Sequence, residues 1–365
     1  MISVCIITRD EEEKLNRCLN SLKNYPVEVV VVDTGSKDGT LDMLRKWQED
    51  KSKKFELVIG NFKWCNDFSK ARNYAASLAK NDIIFVVDSD DVVEELDLKN
   101  VESNMELHPK ALGILEIQNK FLMNNQLNIR NDKLPRIYNR QFIKYFGAVH
   151  EQLKTNEKSN EKIFAEVKAK VTHDGYMLTG EEYLNKQLRN ISLLKKELEK
   201  TQTSSDTQYI FYQLGKSYAA INDYDNSIKY YKKFFEFPID TNNSYTIDAL
   251  EAYGYSLIGA KKADIALELE KYYDDFKHIA DFRNLMGLIY LNNHMFVKAL
   301  SEFLGATMEC KVCRTEGANS FLAFYYAAGV NELLGNIDGA LMLYKQCGDY
   351  EPAKNKIKEL EKRKN

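Results

Sequence analysis

The 365-residue chain sets 51 lysines and arginines against 54 aspartates and glutamates, for a net charge of -3, and 44% of its residues are hydrophobic. That balance exerts no sequence-independent pull on nucleic acid, and the length suffices for two or more domains with separate cores. The start, Met1 to Thr8, is a short β-rich run without a basic segment before it, and no apolar stretch reaches the roughly 18 residues of a membrane span. A soluble cytoplasmic protein with no membrane span and no nucleic-acid partner is therefore expected. Six cysteines in so long a chain make no disulfide framework, and Cys5, Cys18 and Cys65 lie in or near apolar patterns where reduced thiols pack. Cys310 and Cys313 form a C-x-x-C, but no second ligand pair stands at a spacing that zinc would need.

In chain order the pattern predicts a strand over Val4 to Thr8, an amphipathic helix over Glu12 to Leu22, a strand over Val27 to Asp33, a turn over Thr34 to Gly39, a helix over Thr40 to Glu49 and a strand over Glu56 to Ile59. Such alternation predicts a parallel α/β sheet. Leu15, Cys18, Leu19 and Leu22 recur at helical spacing and put one apolar stripe on that sheet. Ile83 to Val87 then reads as a buried strand that delivers Asp88, Asp90 and Asp91 to one sheet edge. Ligands collect at the carboxyl ends of strands in open α/β sheets, and Thr8 to Glu11, Asp33 and Asp88 to Asp91 all fall there.

Carboxylates are hard ligands suited to Mg²⁺ or Mn²⁺, and Mg²⁺ usually binds through one or two of them plus substrate phosphates. The alternative is a set of acids solvating a loop. Neither a G-x-G-x-x-G after the first strand nor a P-loop is present, so phosphate must be neutralised by metal and side chains. Arg72, in Asp67-Phe68-Ser69-Lys70-Ala71-Arg72-Asn73, suits bidentate phosphate contact, or else lies on a solvated helix face.

Together, Thr8-Arg9-Asp10-Glu11-Glu12, Val32 to Thr40, Trp64 with Asp67 to Asn73, and Asp88-Ser89-Asp90-Asp91 resemble, in that order, the family 2 glycosyltransferases of the GT-A fold. The resemblance covers about the first 180 residues. It implies a nucleotide-sugar site: Thr8 and Glu11 beside the nucleoside, Asp33 reading the base, Arg72 near base and phosphates, Asp88 and Ser89 toward the ribose, and Asp90 holding the metal on the diphosphate of a UDP-sugar donor. Inverting transfer also requires a base on the acceptor side. Arg136 to Asn139 followed by Phe146 to Glu151 looks like the acceptor-side motif of the repeat-bearing members, which implies Glu151 as the base and His150 as its neighbour; the other reading is a pair that holds a loop. Val171 to Tyr176 resembles the segment supplying a late histidine to metal or diphosphate, which makes His173 a further ligand or else a structural histidine. Many relatives have an acidic pair ending in Glu where this chain has Asp90-Asp91, and Asn where it has Asp10.

After Tyr183 the pattern is helical throughout, first a charged helix with Leu184, Leu188, Ile191, Leu194 and Leu198 on one face, read as a connector over 181–207. From Phe211 onward the chain fits the tetratricopeptide template, with Gly215, Gly254 and Gly287 as small residues where helices approach and aromatics such as Tyr231 and Phe303 filling the gaps. Small residues of the second helices recur after 39 (Ser227 to Ala266), 33 (Ala266 to Ala299) and 41 (Ala299 to Ala340) positions, against a template of about 34, with the excess assigned to turns. The expectation is an α/β GT-A domain (1–180), the connector, and an all-α tetratricopeptide-like solenoid (208–365). The design looks like the repeat-bearing transferases that modify bacterial peptides and proteins, the sublancin-type S-glycosyltransferases among them. A peptide or protein acceptor, modified on a cysteine thiol or a serine or threonine hydroxyl, is expected, the repeats otherwise serving as a homodimerisation or stabilising platform. Surface-polysaccharide synthesis and a non-catalytic repeat scaffold are the competing readings.

Overall fold

The computed structural model describes residues 1–123, 126–155, 163–176, 180–201, 203–241 and 243–364. Two compact units divide the chain, Met1–Gly180 and Glu181–Asn365. The first contains β1 (Ile2–Thr8), α1 (Glu12–Leu22), β2 (Glu28–Asp33), α2 (Thr40–Glu49), β3 (Glu56–Asn61), α3 (Phe68–Leu78), β4 (Ile83–Val86), β5 (Asp91–Leu96), α4 (Leu98–Leu107), β6 (Leu112–Met123), β7 (Gln126–Asn139), β8 (Ile143–Phe146), β9 (Gln152–Thr155) and β10 (Phe164–Tyr176). The second contains α5 (Gly180–Leu198), α6 (Ser204–Ala220), α7 (Tyr224–Phe235), α8 (Ser244–Gly259), α9 (Ala263–Ala266), a 3-10 turn (Leu267–Tyr272), α10 (Tyr273–Phe276), α11 (Ala280–Asn292), α12 (Phe296–Met308), α13 (Phe321–Leu333), α14 (Ile337–Gln346) and α15 (Glu351–Lys364).

Eight strands form one sheet in the order β3-β2-β1-β4-β7-β6-β10-β5. The first four are parallel, as the helix-separated pattern predicts. The remainder is not: β4 with β7, β7 with β6, and β10 with β5 are antiparallel, while β10 and β6 are parallel. β7 follows β6 with no crossover helix between them and so returns antiparallel, whereas β4 and β5 take their antiparallel partners, β7 and β10, from further along the chain. One sheet face packs Leu15, Leu19, Leu44, Trp47, Val101 and Met105 from α1, α2 and α4. The other face packs Ala71, Ala75, Ile143, Tyr145 and Leu153 from α3 and the β8–β9 hairpin. This mixed, three-layer sheet is the GT-A-like arrangement.

The second unit is built from helix pairs, α6 with α7, α11 with α12 and α13 with α14. A Cβ at Gly215 would stand 2.8 Å from the Tyr231 ring, and one at Gly287 would stand 2.5 Å from Phe303, so the small-residue positions do mark close helix approaches filled by aromatics. The second pair departs from the template. Its second helix breaks into α9, the 3-10 turn and α10; the tightened turn buries Leu269 while Glu268 accepts from Tyr253 and Glu270 from Tyr290. Leu184 and Leu188 of the predicted apolar stripe are largely exposed, whereas Ile191 and Leu194 are buried. All six thiols are free; Cys5 and Cys18 are buried, but Cys65 is exposed, contrary to the packing expected of it, because Phe62 to Asn66 lie in a loop beyond β3. Among the described residues no helix is long and apolar enough to cross a membrane.

Candidate active site

The parallel strands bring their carboxyl ends to one edge. Thr8 pairs in register with Asp33, and the Val87 amide bonds the Cys5 carbonyl, so the chain leaves β4 for Asp88 beside β1. Asp33 is buried and both of its oxygens accept from the amides of Gly35 and Ser36, which fixes the turn that follows. Glu11 gives its carboxylate to Lys14, and its amide bonds Thr40 Oγ1. Thr8 Oγ1 is buried without a hydrogen-bond partner among the described residues.

Asp88 to Asp91 form a closed turn. The Asp91 amide bonds the Asp88 carbonyl at 3.0 Å, and the Asp88 amide donates back to Asp91 Oδ2 at 2.8 Å. Asp91 is thus turned inward, while Ser89 and Asp90 stay half-buried at the tip. The antiparallel register of β10 on β5 sets His173 opposite Asp91, with Nδ1 2.7 Å from Asp91 Oδ1 and 3.5 Å from Asp90 Oδ1. Burial alone would lower the His173 pKa, but the Asp91 hydrogen bond and the charges of Asp90, Asp91 and Asp88 together raise it. Burial raises the Asp91 carboxyl, an effect that His173 partly offsets.

Arg72 enters from α3, whose start is capped by Asp67 accepting from the Lys70 amide. Asn73 bonds the Tyr145 carbonyl and amide, and the Phe68 amide bonds the Ala148 carbonyl, so α3 and the β8–β9 hairpin are locked together. That lock puts Glu151, at the foot of the hairpin loop, on Arg72 Nε. Arg72 Nη2 lies 2.7 Å from Asp88 Oδ1, and Arg136 Nη2 lies 2.9 Å from Asp88 Oδ2. Asp88 therefore sits in a two-arginine clamp: burial pushes its carboxyl up, but Arg136 and Arg72 outweigh that and hold it well below the usual carboxylate range. The Arg72 guanidinium also stands over the Tyr145 ring at 5.5 Å, and its Nη1 is buried without a hydrogen-bond partner among the described residues. His150 occupies a left-handed backbone position, φ 52°, in the hairpin loop after Gly147 at φ 101°.

The structure thus brings Arg72, Asp88 and Glu151 into one contact chain and Asp90 and His173 into another, joined through the 88–91 turn. Thr8 and Asp33 share the strand edge, and Glu11 follows it. Sequence reasoning placed Asp91 in the acidic run and Arg136 in the acceptor-side motif but gave neither a role in the site. An arginine within the apolar run Leu134 to Tyr138 is the signal that could have pointed to a buried partner.

The ligand atoms of Asp88, Asp90, Asp91 and His173 lie within 4.8 Å of one another, and three carboxylates with one imidazole make a donor set that fits Mg²⁺ or Mn²⁺. The fold of the first unit is that of a GT-A-like glycosyltransferase domain. Residues 3–163 match the model of the Glycosyl transferase family 2. It is similar to the SPbeta prophage-derived glycosyltransferase SunS of Bacillus subtilis, 26% identical over 308 residues that cover 80% of this chain and 68% of SunS. A TPR repeat-containing protein of Synechococcus elongatus is 32% identical over 154 residues, 41% of this chain and 34% of its own length. Among solved structures, that of Staphylococcus aureus TarS is similar over 74% of this chain and 55% of its own, at 15% identity and a TM-score of 0.36.

Proposed function

We propose that the protein moves a sugar from a UDP-sugar to a peptide or protein, on a cysteine thiol or a serine or threonine hydroxyl, with a divalent cation bound at the 88–91 turn. The observation that carries the reading is the juxtaposition, at one strand edge, of the Asp90–Asp91–His173 cluster with the Arg72–Asp88–Arg136 clamp. Asp90 and His173 would hold the cation, with Asp91 orienting the imidazole from behind through Nδ1. A bound Mg²⁺ or Mn²⁺ stabilises the charge that develops on a leaving diphosphate.

The chain's own residues supply the remaining work. Thr8 Oγ1 and Arg72 Nη1 are buried polar atoms that still have hydrogen-bonding capacity, which suits a polar donor at this edge. Asp33, set by the Gly35 and Ser36 amides, faces the nucleoside end with Thr8 and Glu11, while Asp88 and Ser89 lie toward the ribose. Glu151 takes the acceptor's proton as it attacks, its carboxylate aimed by Arg72, with His150 beside it. The helix-pair unit supports a polypeptide acceptor, because stacked pairs present an extended surface to a chain.

The test is to incubate the purified protein with Mn²⁺ or Mg²⁺, a panel of UDP-sugars and peptides bearing cysteine or serine, and to weigh the products. A peptide heavier by one sugar is the expected result. Sugar found only on saccharide or lipid carriers would replace this reading with synthesis of a surface polymer.

A further inference from the structure

An irregularity in the sheet places Arg136. From Ile114 opposite Pro135 the pairing of β6 and β7 runs in step, but Gly113 pairs with Ile137, so Arg136 is an extra residue with no counterpart on β6. A bulge of this kind bends its strand and re-aims a side chain. It falls where β7 also pairs with β4, Ile137 opposite Phe85, just before the chain leaves β4 for Asp88. Pro135, next to it, has no amide to give the ladder. A Cβ on Gly113 would stand 2.9 Å from Ile137 Cβ, so the strands also approach closely at this point.

The re-aimed guanidinium meets Asp88. Arg136 Nη2 lies 2.9 Å from Asp88 Oδ2, and Arg72 Nη2 lies 2.7 Å from Oδ1, so each oxygen of this carboxylate carries an arginine. Asp88 nevertheless stands among Asp90, Asp91 and His173, with ligand atoms within 4.8 Å of one another. Three carboxylates and an imidazole suffice to hold a divalent cation with no substrate present. Mg²⁺ sites that act on phosphates use one or two carboxylates and leave the other positions to substrate oxygens. Asp91 has one oxygen on the Asp88 amide and the other on His173. Which kind of site this corner forms therefore turns on whether Asp88 joins Asp90 and His173.

We propose that Arg136 is a positioning residue that withholds Asp88 from the cation, so that the ion binds weakly to the protein alone and is completed by the diphosphate of the donor. Guanidinium and metal are both cations and compete for Asp88 Oδ2, and the arginine charge opposes the ion as well. Arg72 does not do this alone, because it is shared with Glu151. Metal and donor then bind as one unit, each weak without the other. The proposal rests on the reading that a divalent cation binds at the 88–91 turn, and it adds what governs the affinity of that ion.

Mn²⁺ binding to the full-length protein, followed through the paramagnetic resonance of the free ion, tests this with no turnover. Without UDP, Arg136→Met is expected to bind Mn²⁺ more tightly than the wild type by about tenfold or more. UDP is expected to tighten Mn²⁺ binding to the wild type by about tenfold or more, and to do so less in the variant. Adding Asp88→Asn to Arg136→Met leaves the charge of the pair as in the wild type and is expected to cancel the gain. Arg136→Lys keeps a cation beside Asp88 and is expected to fall between wild type and Arg136→Met. A residue that only holds the fold would weaken metal binding when removed. If Arg136→Met folds poorly, Arg136→Gln takes its place, and the rise in melting temperature with Mn²⁺ gives the same comparison. Equal or weaker Mn²⁺ binding by the neutral variants, or a gain that persists with Asp88→Asn, would overturn the proposal and leave the cation site standing. Mn²⁺ binding that Asp90→Asn leaves unaltered, or none by any of these proteins, would overturn the cation site as well.

Discussion

The two units are held together by different physics. At the strand edge of the first, Arg72, Asp88, Arg136 and Glu151 form a part-buried chain of charge drawn from α3, the end of β4, β7 and the hairpin loop. In the helix pairs of the second, Gly215 against Tyr231 and Gly287 against Phe303 are apolar, local approaches of a glycine on one helix to an aromatic ring on the next. Ion pairs of the first kind set direction and charge, and they are fragile because each member leaves another uncompensated when removed. Contacts of the second kind set distance and fail by overfilling.

The sharpest way to break the contrast is Arg72→Met, which leaves Asp88 and Glu151 facing each other's surroundings with one cation fewer. It is expected to destabilise the first unit by about 3–5 kcal/mol. The two tryptophans, Trp47 and Trp64, both lie in that unit, so the fluorescence midpoint in urea should fall while the helical transition followed by circular dichroism stays in place. A midpoint that does not move would mean that the clamp contributes nothing to the fold.

Asp90→Asn is the complementary change, aimed at chemistry. Asp90 is at the half-buried tip of the turn, so the tryptophan midpoint should hardly shift while Mn²⁺-dependent sugar transfer falls by about 10²–10³-fold. Chelation of the metal should reduce wild-type transfer to a similar level. Transfer that survives both treatments unaltered would remove the cation from the mechanism.

In the second unit, Gly287→Val should cost about 1–3 kcal/mol, because its Cβ would stand 2.5 Å from Phe303. The helical transition should fall with the tryptophan midpoint unchanged, and Phe303→Leu in the same chain should restore part of the loss. Failure of that second-site rescue would show that the approach is not what limits the pair.

The smallest effect concerns pH. Burial raises the Glu302 carboxyl more than Tyr273 and Arg283 lower it. The folded unit therefore keeps this proton to a higher pH than the unfolded chain, so its stabilising contribution is full below the ordinary 4.5 and is lost as pH rises through the raised value. The helical midpoint, compared between pH 4.5 and 7, should show a decline that is smaller in Glu302→Gln than in the wild type. An unchanged slope would place the titration elsewhere.

What could be read in advance follows the same division. The strands up to Val87, the helices between them and the acidic run were legible because period and order are local properties of sequence. So were the glycine and aromatic positions of the repeats. The partnership of His173 with Asp91 was not, because it depends on the register of two antiparallel strands far apart in the chain. Arg136 was hidden for a like reason: only the pairing of β7 on β4, Ile137 opposite Phe85, brings it up to Asp88. The broken second helix of the repeat was visible only as irregular spacing.

One consequence concerns the inward-facing aspartate of the 88–91 turn. By gripping an amide of its own loop with one oxygen and an imidazole with the other, Asp91 gives that corner of the protein its shape ahead of any guest. An ion arriving there has little ordering left to impose, so its affinity reports attraction with little deduction for disorder.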